Sequence, residues 1–259
     1  MNGRFVVTFL AFALLGLGVA DAFLGFSGSI GFFSTFLTGL LIFLTFFTFF
    51  FLPPKEIFSE KGWRYISVGL VVLFIGRAIK EYCKMTGSPL GFPSFADLFW
   101  FFGFIPIGYG LLLLCRAFHV ELTTPRKIAV ATASAAFAVF IFFIAILPAL
   151  LDANGADPSD AASIIKNLWD LALFTLSAYL LAMLWRWHRL AEPVVLLTLG
   201  LAIITVYDTV NGRISMAEQM LAAFYSLRIF AYFLFVMAAV RYKTVSEEIG
   251  SGRHVFGKK

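Results

Sequence analysis

The stretch FADLFWFFGFIPIGYGLLLLCR, residues 95–116, has charged residues only near its two ends, Asp97 and Arg116. A helix rises 1.5 Å per residue, so about 20 such residues cross a hydrocarbon core roughly 30 Å thick. Similar runs recur along the whole chain, which is 61% hydrophobic and only 14% charged. Ordinary soluble domains have about 25% charged residues. The sequence therefore predicts an integral membrane protein with no stretch left for a soluble domain.

The apolar runs predict an all-α transmembrane bundle of about eight spans. The runs are continuous rather than alternating, which favours helices over a barrel because a helix satisfies its own backbone hydrogen bonds in lipid. The predicted spans are residues 4–26, 30–52, 64–84, 94–117, 127–151, 161–187, 191–212 and 216–241. Residues 1–242 form the predicted membrane domain, and residues 243–259 form a short basic tail.

Basic residues are concentrated at alternate ends of the spans, which predicts the orientation because Lys and Arg are retained on the cytoplasmic side. These ends carry Arg4, Lys55, Lys61, Arg64, Arg116, Arg126, Lys127, Arg186, Arg189, Arg241, Lys243, Arg253, Lys258 and Lys259. We expect a multi-pass protein of the cell membrane with both termini in the cytoplasm. The asymmetry also explains the net charge of +5, so its predicted partner is the lipid bilayer and not a nucleic acid.

The N-terminus also fits a second interpretation, a cleavable signal peptide. Arg4, the apolar stretch after it and the small residues of Ala20-Asp21-Ala22 follow the plan of such a peptide. The chain stays apolar beyond this site, which favours a retained first span. Cleavage would leave seven spans with the same orientation.

Two predicted hairpins resemble each other. Span three resembles span seven, and span four resembles span eight. In span three, Gly69 precedes the charged residue Arg77 by eight positions, and in span seven, Gly200 precedes Asp208 by the same number. Both hairpins begin on the predicted cytoplasmic side, so the repeats would be parallel. Chance similarity between two Leu- and Phe-rich segments is the alternative.

Several helix starts carry a capping pattern. Ser94 and Asp97 have the S-x-x-D spacing of a capping box, in which the acid reaches back to the first residue. The same spacing occurs at Asp157 with Asp160 and at Ser215 with Glu218. Carboxylates there also meet the positive end of the helix dipole. We therefore interpret these acids as helix caps rather than as chemical groups.

Capping does not explain the charges deeper in the spans. By residue count, Arg77, Asp170 and Arg228 lie near the predicted midplane, and Asp208 lies in the outer third. A charge at the centre of a span costs about 2.5 to 3.5 kcal/mol, so these groups should face the interior and pair. We expect them to line a polar cavity open to the outside. Its predicted walls include Tyr179, Tyr207, Asn211 and Tyr225.

Three interpretations of this cluster remain open from the sequence. One is a closed ion-pair network, with local pairs such as Arg77 with Glu81 and Lys166 with Asp170 at the i, i+4 spacing. The second is a site for a small-molecule ligand that enters from the outer side. The third is a proton or ion path. Catalytic motifs are missing from the sequence, so we expect no enzyme activity, cofactor or metal.

The segment PSFADLFW, residues 93–100, with GLL at residues 110–112, resembles the multi-pass sensory modules at the N-termini of bacterial and archaeal membrane signalling proteins. The resemblance covers residues 63–116 best and residues 193–241 more weakly. It implies a sensor-like module that normally precedes a kinase or cyclic-dinucleotide synthase domain. Residues 243–259 hold no such output domain, so the resemblance implies a module that acts through a cytoplasmic or membrane signalling partner.

The sequence thus predicts a sensor-like or ligand-binding membrane module. A small transporter or permease is the first alternative, because intramembrane charges and repeats are also typical of transporters. An accessory subunit of a membrane complex is the second alternative.

Overall fold

The computed structural model describes residues 3–24, 30–52, 60–88, 90, 94–118, 120–151, 158–211 and 218–250. These residues form eight helices and confirm the predicted all-α bundle. The helices are α1 (Gly3–Leu24), α2 (Ile30–Phe50), α3 (Glu60–Met85), α4 (Phe95–Phe118), α5 (Thr124–Leu151), α6 (Pro158–Leu184), α7 (His188–Asn211) and α8 (Glu218–Gly250). Within α5, Phe142–Ile146 form a π-helical turn.

Seven of the described helices are long and apolar enough to cross a membrane, and α3 is the one that is not among them. It carries Glu60, Lys61 and Arg64 in its first turns and Arg77 and Lys80 further along. Its 26 residues nevertheless extend about 39 Å, and it packs along both α2 and α4. The helix therefore belongs to the bundle, and its charges require shielding by its neighbours.

Six helices form a closed ring in the order α2, α3, α4, α6, α7, α8, with α8 packed back on α2. The contacts repeat after half of this ring: α2 packs on α3 as α6 packs on α7, and α3 packs on α4 as α7 packs on α8. Outside the ring, α1 packs on α2 and α8, and α5 packs on α6. This pattern fits two parallel three-helix repeats around an approximate two-fold axis along the membrane normal.

The α3–α4 hairpin is closed by a seam of small residues that meet at seven-residue intervals. The facing pairs are Gly62 with Gly110, Gly69 with Gly103, and Gly76 with Ala96. A β-carbon on Gly69 would lie 2.6 Å from the carbonyl oxygen of Gly103, closer than real side chains allow. The two backbones can therefore approach only because side chains are absent along this line, as in other membrane helix pairs.

The α7–α8 hairpin has one glycine of this kind and then departs from the pattern. A β-carbon on Gly200 would lie 3.1 Å from the carbonyl oxygen of Ala231, which is looser than the equivalent contact of Gly69. Seven residues later, where α3 has Gly76, α7 has Tyr207. Its ring lies 6.1 Å from that of Phe224 on α8. The second hairpin thus holds a large polar aromatic residue where the first has none.

Both ends of the described chain lie at one end of the bundle, which we call the terminal end. Arg4 at the start of α1 forms an ion pair with Glu247 near the end of α8. At the same end, Lys243 forms a buried ion pair with Glu60 at 2.6 Å. Helix α8 continues to Gly250, so the tail predicted from residue 243 begins inside this helix.

Candidate functional site

Three of the predicted charged residues surround one cavity inside the ring. Arg77 from α3, Asp170 from α6 and Asp208 from α7 line a space of about 30 Å³. The other three ring helices contribute Thr38 from α2, Trp100 from α4 and Tyr232 from α8. Since every ring helix supplies part of the wall, these charges face the interior and each other rather than lipid.

The cavity lies where the two repeats meet. Arg77 and Asp208 occupy equivalent positions, each eight residues after the glycine at the hairpin seam. Two further pairs of lining residues are equivalent in the same way, Leu73 with Ile204 and Phe104 with Tyr232. Equivalent residues can share one wall only at the axis between the repeats. Opposite charges at the first pair make this axial cavity polar.

Tyr207 connects two guanidinium groups from different repeats. Its hydroxyl oxygen accepts a hydrogen bond from Arg77 Nη2 at 3.2 Å and lies 3.5 Å from Arg228 Nη1. The carbon between the guanidinium nitrogens lies 5.6 Å from the Tyr207 ring centre for Arg77 and 5.5 Å for Arg228. Both distances are within the range of cation–π attraction. Tyr207 is 1% exposed, so this connection is made inside the protein.

Arg228 is fully buried and has neutral partners. Its Nη2 donates to Ser34 Oγ at 2.6 Å and to Thr35 Oγ1 at 3.2 Å, both on α2. The Tyr225 ring centre lies 5.2 Å from the guanidinium. Among the described residues, no carboxylate lies within 4.0 Å of Arg228, and its Nε has no hydrogen-bond partner. Contrary to the expected pairing with an aspartate, hydroxyls and aromatic rings stabilise this charge.

The acids of the cavity are paired differently from the local i, i+4 pattern. Lys166 Nζ lies 2.6 Å from Asp208 Oδ2 on the next helix, rather than pairing with Asp170 one turn along its own helix. The same ammonium lies 4.2 Å from the Trp100 ring centre. Asp170 is 5% exposed, and its Oδ2 has no hydrogen-bond partner in the described part of the chain. The other local pair considered from the sequence, Arg77 with Glu81, is also replaced, because Arg77 donates to Tyr207.

Tyr207 and Tyr225, two of the four predicted wall residues, contact Arg228, and the other two are Tyr179 and Asn211. Tyr179 is 38% exposed on α6, nine residues beyond Asp170 toward the terminal end, and is not among the residues that line the cavity. The side chain of Asn211 lies outside the described residues. The expected cluster is therefore present for the residues near the axis and wrong for Tyr179.

The capping geometry is present at the start of α4. Asp97 Oδ2 accepts hydrogen bonds from the backbone N–H of Ser94 at 2.8 Å and from its hydroxyl at 2.6 Å. The second bond reverses the usual role of the serine, which donates here instead of accepting. Asp97 also forms an ion pair with Lys80 of α3. Asp157, Ser215 and the side chains of Asp160 and Glu218 lie outside the described residues.

Some important residues were not predicted. Ser34 and Thr35 hold Arg228, but in sequence they resemble the other hydroxyl residues of α2, whose Thr38 and Thr48 bond to carbonyls of their own helix. Trp100 was not among the predicted site residues, yet the ammonium groups of Lys80 and Lys166 lie over its ring, 5.0 and 4.2 Å from its centre. The signal available for Trp100 was its position one turn after Asp97, on the face that meets α3.

No protein family, curated protein or solved structure matches the chain. The class that the fold and the site define is an α-helical membrane bundle with a polar cavity between two parallel repeats. The cavity volume of about 30 Å³ accommodates roughly two water molecules, because each water molecule needs about 10 to 15 Å³ of such a cavity. In the described part of the chain, no group of three or more His, Cys, Asp or Glu side chains is arranged to hold a metal ion.

Proposed function

We propose that this protein is a sensor-like membrane module that binds a water-sized polar species in the axial cavity and acts through a partner. The species enters from the end of the bundle opposite the terminal end, which we assign to the outside because basic residues concentrate at the terminal end. The resemblance of residues 93–100 to membrane sensory modules supports the same function. The partner then binds on the cytoplasmic side.

The continuity of α8 is the observation that carries this proposal. This helix has 33 residues and extends about 50 Å, and its part from Arg228 beside the cavity to Gly250 at the terminal end extends about 33 Å. Arg228 is joined to the cavity through Tyr207, which also bonds Arg77. A change in charge within the cavity therefore acts on a helix whose other end is at the predicted cytoplasmic surface.

The terminal end of α8 is held by ion pairs to α3 and α7, in addition to the pair of Glu247 with Arg4 on α1. Lys243 bonds Glu60 of α3, Arg189 of α7 bonds Glu248 at 2.8 Å, and Arg241 pairs with Glu192. The pairs of Arg189 and Arg241 are exposed and are each worth about 0 to 1 kcal/mol, whereas the pair of Lys243 is buried. A small displacement of α8 can exchange or release these pairs and so change the surface that a partner recognises.

Hydrogen–deuterium exchange of the protein in lipid nanodiscs tests this function. The probes are a change of pH and added sodium, potassium and ammonium chloride. We expect one probe to alter exchange both in peptides around the cavity and in residues 241–249 of α8. Tyr207→Phe should abolish the second effect only, and Arg116→Gln, which changes an exposed arginine, should retain both. A change confined to the cavity, or no change with any probe, would overturn the proposal.

A transporter is the second candidate, because the position of the cavity favours it. Transporters with parallel repeats bind their substrates near the midplane at the repeat interface. Flux of protons or of the same ions into proteoliposomes above that of protein-free vesicles, lost in Asp170→Asn, would support transport. Equal flux in both preparations would exclude it for these ions.

A further inference from the structure

Asp170 carries a buried polar atom that the described protein groups do not satisfy. The residue is 5% exposed, and its Oδ2 has no hydrogen-bond partner among the described residues. Leaving such an atom without a partner costs about 1 to 3 kcal/mol, and more when the group is charged. Since Asp170 lines the axial cavity, its natural partner is whatever enters that cavity.

The neighbouring cations are already engaged. Lys166, one turn away on α6, bonds Asp208 at 2.6 Å and lies over the Trp100 ring. Arg77 donates through Nη2 to Tyr207, while its Nε has no partner in the described part of the chain. The cavity is thus bordered by an acceptor oxygen of Asp170 and by the guanidinium of Arg77, whose Nε–H donor has no partner among the described residues.

Volume and charge narrow the chemistry of the ligand. About 30 Å³ admits roughly two waters and excludes an organic molecule. An anion would meet the carboxylates of Asp170 and Asp208. Calcium requires six to eight oxygen ligands and magnesium an octahedral set, whereas Asp208 is committed to Lys166 and Arg77 adds a positive charge. Arg77, which lines the cavity, also repels a monovalent metal cation, so water and the proton it carries remain.

We propose that the proton is the ligand of this site and that Asp170 is the group that binds it. This inference rests on the proposed function and names its ligand. A hydronium ion in the cavity transfers one proton to the Asp170 carboxylate, which becomes a neutral carboxylic acid, and one water molecule is left. The new hydroxyl then donates to cavity water. Asp208 retains 13% side-chain exposure, so the cavity reaches toward the surface beside it.

The groups that face Asp170 explain how this proton changes the protein. Lys166 lies on its own helix, Asp208 lies on α7, and Arg77 and Tyr232 line the same cavity from α3 and α8. Lys166 pairs with Asp208, and Asp170 is the second carboxylate of the cavity that Arg77 lines. Once Asp170 is neutral, this cavity holds one negative charge fewer, and the positive charges of Arg77 and Arg228, which share the Tyr207 oxygen, are less offset. Their repulsion favours displacement of one of them, and Arg228 carries this displacement into α8.

Infrared difference spectroscopy of the full chain in lipid tests the inference, with the proton itself as the probe. Between about pH 5 and pH 8 we expect the C=O stretching band of a protonated carboxylic acid to appear as the pH falls. Asp170→Asn should lose this band, and Asp170→Glu should shift its frequency. Glu81→Gln should keep this band, because Glu81 does not line the cavity. Its carboxylate instead pairs with Lys84, at a distance of 3.5 Å. A band retained in Asp170→Asn, or no titrating band in the wild type, would overturn the inference.

The two proposals fail separately. If the band titrates and is lost in Asp170→Asn while exchange at residues 241–249 stays constant with pH, the proton site stands and the sensor function is wrong. If added salt changes exchange at residues 241–249 and no band titrates, the sensor function stands and the proton is not its ligand. Should Asp170→Asn yield no folded protein, the shift of the band in Asp170→Glu decides the assignment.

Discussion

The α3–α4 and α7–α8 hairpins share a plan but differ at one position that shapes the site. In the first hairpin, Gly76 continues a seam of small residues and the helices stay in close contact with Ala96. In the second, the equivalent position is Tyr207, whose hydroxyl lies between two arginines. The tight hairpin provides a rigid wall, whereas the looser one provides the polar connection between the cavity and α8.

This difference shows how a repeated scaffold can acquire an asymmetric site. Equivalent positions carry opposite charges in the two repeats, Arg77 and Asp208, and both face the same axial cavity. A strictly symmetric pair would have placed two like charges together in a low-dielectric interior, where they repel. Substitutions in the two hairpins should therefore reduce stability by different amounts, with the largest loss at Asp208 and the smallest at Ser94.

Asp208→Asn should be the most damaging change. It leaves the Lys166 ammonium buried without the carboxylate that lies 2.6 Å away. Loss of one partner of a buried pair typically costs 3 to 5 kcal/mol, and we expect about 3 kcal/mol because Asp170 is one turn from Lys166 and can replace part of the interaction. Unfolding by SDS in mixed micelles measures the loss.

The matched change in the first repeat is Arg77→Gln, which should cost less because Arg77 is only half-buried and has neutral hydrogen-bond partners. Replacing the pair with Lys166→Met and Asp208→Leu together should recover most of the stability. If Asp208→Asn costs no more than Arg77→Gln, the assigned ion pair is wrong.

Gly69→Ala should destabilise the first hairpin by about 2 to 3 kcal/mol. The added methyl group would lie 2.6 Å from the Gly103 carbonyl oxygen, and this clash can be relieved only by moving the backbone of α3 or α4. Gly200→Ala should cost less, about 1 to 2 kcal/mol, since its closest contact at 2.4 Å is the Phe235 ring, a side chain that can shift, and the nearest backbone atom is 3.1 Å away. Gly16→Ala is the control, with open space around its β-carbon. Equal losses at Gly69 and Gly200 would show that the hairpins are equally tight.

Tyr207→Phe should reduce stability by about 1.5 kcal/mol, the lower range for hydrogen bonds to charged groups. It removes the oxygen that Arg77 bonds and Arg228 approaches, while the ring remains for cation–π attraction. Tyr232→Phe is the matched control, since Tyr232 lines the cavity without a hydrogen bond to either arginine. A larger loss with Tyr232→Phe would contradict the central position of Tyr207.

Ser94→Ala should have the smallest effect, about 1 kcal/mol, as for the loss of a typical helix cap. It removes the hydroxyl that donates to Asp97 and leaves the backbone bond between these residues intact. The midpoint of thermal unfolding in detergent measures this loss. An unchanged midpoint would mean that the backbone bond of Ser94 and the ion pair of Asp97 with Lys80 suffice to position the start of α4.

Much of the fold followed from local properties of the sequence. Each apolar run corresponds to a helix, and the capping box of Ser94 and Asp97 predicted where α4 begins. The predicted depths of Arg77, Asp170 and Asp208 along their spans also indicated that these residues meet, and all three line the cavity. The seam could have been read from Gly62, Gly69 and Gly76, which are seven residues apart on one side of α3.

The partners within the site could not be predicted in the same way. Which groups meet across helices depends on the rotation and tilt of each helix, and neither is set by local sequence. The spacing allowed Lys166 to reach Asp170 on its own helix, yet it bonds Asp208 on the next helix. Arg228 was expected to pair with an acid, yet it bonds Ser34 and Thr35. Hydroxyl residues carry no signal that separates such a role from bonding within their own helix.

A double-mutant cycle between Arg77→Gln and Tyr207→Phe tests most directly whether the two repeats are joined through the site. The free energy of unfolding is measured by SDS titration for the wild type, both single variants and the double variant. If Arg77 and Tyr207 bond each other, the losses should fall short of additivity by about 1 kcal/mol. Losses that add to within about 0.3 kcal/mol would contradict the contact and, with it, the connection from the cavity to α8.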